Sequence, residues 1–134
     1  MHAFTYSAHP TCCAVALATL DILESEGLVE AVGRKGKKLL DGLKQLASLE
    51  HVGDVRGLGL MCGVELVEDK ATKRPFPPAR KVGLRVLQEC SRRGLVSRIK
   101  EDIFLLAPPF VVTDAEIDRS VNILAEAIPA ALKN

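Results

Sequence analysis

Tryptophan is missing from this 134-residue chain, tyrosine occurs once, and aromatic residues together make up 4% of it. A surface that stacks nucleobases needs aromatic rings at intervals, and this composition cannot supply them. Strong charge of either sign is missing too: 18 Lys and Arg stand against 17 Asp and Glu, a net charge of +1, with the basic residues scattered along the chain. Without a phosphate-tracking stripe, nucleic acid is not expected as a partner. Cysteines are few, at positions 12, 13, 62 and 90, with no CxxC pair, and adjacent Cys12 and Cys13 have poor geometry for a mutual disulfide. The expectation is a reduced, cytoplasmic setting in which all four act as small buried hydrophobes. His2, His9 and His51 are not grouped at ligand spacing, so no metal site is expected. No uninterrupted apolar run is long enough to cross a bilayer, no signal peptide precedes the first helix, and Leu132-Lys133-Asn134 is no targeting address. No membrane partner is expected.

What the chain does have is 48% hydrophobic and 26% charged residues, the balance of an ordinary globular protein with room for one modest core. Its opening stretch, Ala3-Phe4-Thr5-Tyr6-Ser7-Ala8-His9-Pro10, gathers two aromatics, two hydroxyls, an imidazole and a proline immediately before an alanine-rich segment. Two readings stand. The turn is a helix cap with Pro10 at the first helical position, where its missing N–H costs nothing. Or it is an anion site, since hydroxyls beside the free N–H groups of a helix start suit a negative ligand. The segment Thr11 to Glu24 has little polar face and reads as a buried helix approached closely by its neighbours. After Gly27, Leu28, Val32, Leu39, Leu43 and Leu46 mark the inner stripe of a peripheral amphipathic helix, with Arg34, Lys35, Lys37, Lys38 and Lys44 on its solvated face.

Near-alternation from Val52 to Val67 predicts one long strand, with Arg56, Leu58, Leu60, Cys62, Val64 and Leu66 on one side and Gly57, Gly59, Met61, Gly63 and Glu65 on the other. The glycine spacing does not fit a dinucleotide-binding loop. Glu68 to Pro78 is a charged, proline-rich connector, and Ala79 to Arg93 is a third helix, with Val82, Val86 and Cys90 inward and a stop at Gly94. Residues 95–99 and 103–107 are short strands joined by Lys100-Glu101-Asp102 as a hairpin, followed by Pro108-Pro109. Thr113-Asp114-Ala115-Glu116 is a capping box that opens a last helix with Ile117, Val121, Leu124 and Ile128 inward. The fold class expected from this order is α+β, a small antiparallel sheet covered by helices.

Three separated stretches, Phe4 to Pro10, Val55-Arg56-Gly57-Leu58-Gly59-Leu60, and Gly94 to Pro109, resemble in order the C-terminal part of class III aminotransferases, the fold type I enzymes that use pyridoxal phosphate. In the first stretch glycine or alanine stands at the place of Ala8. The motifs are most similar to the ω-amino acid:pyruvate type. The resemblance implies two parts: residues 1–27, a cofactor-contacting turn and a buried helix from the end of the large domain, and residues 28–134, the C-terminal small domain. It implies transfer of an amino group from an amine or ω-amino acid donor to an oxo-acid acceptor such as pyruvate, in a parent enzyme that is a homodimer.

Carried over residue by residue, the resemblance places Thr5 at the cofactor phosphate of the partner subunit with Phe4 close by, and Arg98 at the substrate carboxylate. It gives this chain no catalytic residue. The lysine that carries the cofactor and the aspartate at the pyridine nitrogen belong upstream, and Lys35, Lys37, Lys38, Lys44 and Lys100 do not match the lysine's position. Met1 before His2 then reads as a start placed on a truncated fragment, expected to be inactive alone. A standalone dimerising or regulatory module, or a class III aminomutase, are the other readings the same scaffold allows.

Overall fold

Four helices and four strands make up the computed structural model, which describes residues 4–133; Met1, His2, Ala3 and Asn134 lie outside the described residues. The helices are α1 (Pro10–Ser25), α2 (Leu28–Gln45), α3 (Val82–Arg92) and α4 (Asp114–Leu132). The strands are β1 (Val52–Leu58), β2 (Met61–Leu66), β3 (Arg98–Lys100) and β4 (Ile103–Leu106), in one antiparallel sheet of order β1-β2-β4-β3. Helices α2 and α3 contact the sheet, and α4 lies against both of them. This is the α+β arrangement expected from the order of elements.

The stretch from 52 to 67 is a hairpin, where the alternation predicts a single strand. Gly59 turns the chain with φ of +54°, and Leu58 pairs with Met61 across the turn. Glycine tolerates that backbone without a steric penalty, so the strand can reverse here. The reversal redistributes the side chains. Cys62, Val64 and Leu66 point into the core as expected, but Arg56 and Leu58 do not, and Leu58 is 89% exposed. Pairing partners share a face, so the core side carries the row Val55, Val64, Phe104 and Ile99. The opposite face carries Arg56, Gly63, Leu105 and Arg98 in one row, and Asp54, Glu65, Ile103 and Lys100 in the next.

The core joins Val64, Leu66 and Phe104 of the sheet to Leu39 and Leu43 of α2, Val82, Val86 and Cys90 of α3, and Ile117, Leu124 and Ile128 of α4. These are the positions that the helical spacing picks out, and Val121 packs against them half-buried. The Thr113 capping box forms: the Thr113 hydroxyl accepts from the Glu116 N–H at 3.2 Å, and Glu116 Oε2 accepts from the Thr113 N–H at 2.8 Å. Helix α3 is shorter than the expected 79–93, because residues 78–80 form a 3-10 turn and Lys81 takes a left-handed φ of +47° before the helix begins. Gly94 ends it with φ of +89°, as a C-terminal glycine should.

Two burial expectations fail for one reason. Helix α1 has no buried residue, and Val15, Leu17, Leu20 and Ile22 are all exposed. Its main neighbour is α2, while the core face of the sheet is already taken by the later helices. Cys12 and Cys13 ride on that exposed helix, so only Cys62 and Cys90 are buried hydrophobes; burial pushes the Cys90 thiol up to about 11. No helix among the described residues is long and apolar enough to cross a membrane.

Candidate functional site

The opening turn closes on itself before α1 begins. Phe4 N–H donates to Ser7 Oγ at 3.1 Å, Ser7 N–H donates back to Phe4 carbonyl oxygen at 2.9 Å, and His9 N–H donates to Tyr6 carbonyl oxygen at 3.2 Å. Ala8 sits at φ of +58°, a conformation that glycine adopts without strain and that costs alanine roughly 1–2 kcal/mol. Pro10 takes the first helical position, as expected, but no side chain caps the helix start. Ser7 is used to close the turn, so the N–H groups of Thr11 and Cys12 keep no acceptor within the helix. Thr5, in the turn that precedes the helix, is exposed, and its hydroxyl makes no hydrogen bond among the described residues. Uncapped first-turn amides and an exposed hydroxyl in the turn leading to them are donor types that suit an anion.

Arg98 opens β3, the short edge strand, and pairs with Leu105. It borders a groove of about 380 Å³ formed with Leu95, Ser97, Leu105, Pro108 and Pro109. The same cross-strand row holds a second arginine, Arg56, and the two differ in their partners. Arg56 donates to Asp54 Oδ2 and to Glu65 Oε2, each at 2.6 Å. Arg98 is exposed and has no ion pair among the described residues. One guanidinium on this face is therefore already neutralised, and the other is left with its planar fork exposed and unpaired among the described residues.

The hydrogen bond from Arg56 holds the Asp54 carboxyl below its ordinary value of 3.8, and hydrogen bonds from Thr113 lower Glu116 below 4.5. A carboxylate lowered in the folded state adds stability that is present above its unfolded pKa and lost as pH falls through the folded one. Melting temperature followed by circular dichroism is thus expected to hold from pH 7 to about 5 and to drop progressively below about 4. A flat profile down to pH 2 would show that these pairs do not stabilise the fold.

Thr5 and Phe4 precede α1, which leans on α2, whereas Arg98 lies on β3, whose neighbours are β4 and α3. The fold presents two separate contact points and does not assemble them into one pocket. A model of the family described as "Aminotransferase class-III" matches residues 1–128. The chain belongs to the class III aminotransferases. The adenosylmethionine-8-amino-7-oxononanoate aminotransferase of Methanocaldococcus jannaschii is 42% identical over 130 residues, 97% of this chain and 28% of that protein. Gamma aminobutyrate transaminase 1, mitochondrial, of Solanum lycopersicum is 38% identical over 127 residues, 95% of this chain and 25% of that protein. Among solved structures, the PMP-bound aminotransferase from Vibrio fluvialis superposes with a TM-score of 0.94 at 36% identity, covering 99% of this chain and 29% of that one. This class III aminotransferase chain therefore spans between a quarter and a third of the length of these relatives.

The family implies pyridoxal phosphate for the whole enzyme, and the opening turn fits its phosphate: the turn offers a free hydroxyl, two uncapped amide donors and no carboxylate between Phe4 and Cys12. Among the described residues no cluster of three or more His, Cys, Asp or Glu could hold a metal ion. Sequence reasoning missed two features of this aminotransferase surface. The Arg56–Glu65 pair joins residues nine apart, which meet only once the 52–67 stretch folds back. Asp102, read only as a polar turn residue, accepts from the Gly83 N–H at 2.7 Å. An Asp before a strand with a glycine at the start of the preceding helix is the faint signal that could have suggested it.

Proposed function

We propose that this chain is the C-terminal portion of a pyridoxal-phosphate transaminase that moves an amino group from an amine or ω-amino acid to an oxo acid such as pyruvate. Residues 1–27 are the end of its large domain and residues 28–134 its small domain. The observation that carries the reading is the guanidinium of Arg98, unpaired among the described residues, in the same cross-strand row as the neutralised Arg56. Arg98 binds the carboxylate of the acid substrate, and its flexible stem swings aside for an uncharged amine. Thr5, with Phe4 beside it, holds the cofactor phosphate across a homodimer interface through its hydroxyl and the adjacent amides. When bound, pyridoxal phosphate supplies the electron sink of the reaction; the residues of this chain bind and orient.

The complete transaminase carrying Arg98→Ala tests this. KM for a carboxylate-bearing donor is expected to rise about tenfold or more, the loss of a charge-assisted pair, with KM for a donor lacking a carboxylate unchanged. Equal KM values for both donors in variant and parent would remove Arg98 from the site. The 134-residue chain by itself, given cofactor, an ω-amino acid and pyruvate, is expected to show no turnover; measurable alanine formation would refute the assignment of the cofactor lysine to another part of the enzyme.

A further inference from the structure

The hairpin that carries Arg98 is short. Strand β3 has three residues, lies at the sheet edge, and has β4 as its only strand neighbour. Something beyond this ladder must fix where it points, and the structure supplies it at the turn. Helix α3 has no cap of its own, since Lys81 sits at φ of +47° and offers no side-chain bond. Its cap comes from nineteen residues away: Asp102 Oδ1 accepts from the Gly83 N–H at 2.7 Å. The carbonyl oxygen of the same residue accepts from the Leu66 N–H at 3.0 Å. Asp102 thus ties the arginine hairpin to α3 with its side chain and to β2 with its backbone. A carboxylate at a helix start is also favoured by the helix dipole.

The approach is close enough to dictate the residue opposite. A Cβ at position 83 would overlap the carbonyl oxygen of Glu101, and it would come within 3.0 Å of Asp102 Cα. Glycine is what lets the turn seat on the helix end. Glu101 takes a left-handed φ of +55°, the backbone that a two-residue hairpin turn between Lys100 and Ile103 requires. From Asp102 the chain runs back only through Glu101, Lys100 and Ile99 to Arg98.

We propose that Asp102 is a positioning residue: by fastening the β3–β4 turn to the start of α3, it sets the orientation of the short strand from which Arg98 reaches the substrate carboxylate. This rests on the role of Arg98 proposed above, and the two are separable by experiment. In the 134-residue chain, hydrogen exchange of the Gly83 amide and of the β3–β4 amides is expected to quicken about tenfold in Asp102→Ala, the loss of one charge-assisted hydrogen bond. Asp102→Asn keeps the Oδ1 acceptor and restores most of the protection. Gly83→Ala, which leaves Asp102 intact but forces the turn away, reproduces the Ala phenotype and serves if Asp102→Ala folds poorly.

In the complete transaminase, Asp102→Ala is expected to raise KM for a carboxylate-bearing donor about tenfold, with the single-turnover half-reaction of a carboxylate-free amine, measured without the oxo-acid acceptor, unchanged. Asp102→Asn lies near the parent, and Asp102→Ala adds nothing on top of Arg98→Ala. If Arg98→Ala raises that KM and Asp102→Ala does not, or if Asp102→Ala affects both donors alike, the positioning role is overturned while the Arg98 reading stands. If Arg98→Ala leaves the carboxylate donor untouched, the Arg98 reading falls and takes the assignment of Asp102 with it.

Discussion

Phe104→Ala is expected to destabilise the chain by about 3–5 kcal/mol, the range for emptying a buried phenylalanine site. Phe104 is 0% exposed and sits where the two middle strands meet, opposite Val64 on β2 and Ile99 on β3. Its ring belongs to the cluster shared by the sheet and all three covering helices, so no single element can move in to fill the space. A domain holds only about 5–15 kcal/mol in total, so a loss of this size leaves it barely folded or unfolded at 25 °C. Urea denaturation reads the effect as a large fall in midpoint at unchanged slope. A drop below about 1 kcal/mol would mean that the site collapses freely and that the core is less tightly packed than the burial implies.

Gly36→Ala gives the second large effect, and its sign is informative. Helix propensity alone predicts that alanine in the middle of α2 stabilises by about 1 kcal/mol. The structure predicts the reverse. A Cβ at 36 would overlap the backbone carbon and oxygen of Gly59, atoms of the tight β1–β2 turn that cannot swing aside as a side chain could. The expected cost is about 3 kcal/mol, the upper part of the range for overpacking. Gly33 on the same helix is the control, since nothing lies within 4 Å of a Cβ built there. Gly33→Ala should stabilise by about 0.5–1 kcal/mol. Equal stabilisation by both substitutions would show that α2 and the turn do not meet as described.

The basic face of α2 is a solvated stripe that meets acidic residues of α4 at its edge. Arg34 and Lys38 pair with Asp114 and Asp118 at 3.0 and 2.7 Å, and Lys35 donates to the Phe110 carbonyl oxygen at 2.8 Å. These contacts are exposed and individually weak. Arg34 and Lys38 thus reach the first turns of α4, while Lys37 pairs within α2 with Asp41, as expected of a solvated face.

Much was legible in the chain before it folded, because it depends on neighbours close in sequence. The helix stripes, the Thr113 capping box, the Gly94 stop and the β3–β4 hairpin are all set within a few residues, where periodicity and side-chain chemistry act directly. The family was legible too, because its motifs are continuous runs such as Phe4 to Pro10 and Gly94 to Pro109. What only the tertiary structure decided depends on residues far apart. A strand-like alternation cannot say whether 52–67 runs straight or doubles back, since both keep a period of two; the meeting of Gly36 and Gly59 accompanies the turn that resolves it. Apolar composition makes α1 read as buried, but burial needs a surface to face, and the core face of the sheet is covered by α2 and α3, with α4 packed against them. The same logic separates the two arginines of one row. Their residue type is identical, and only the fold, by bringing Asp54 and Glu65 to Arg56 and leaving Arg98 at the edge, makes one structural and the other available.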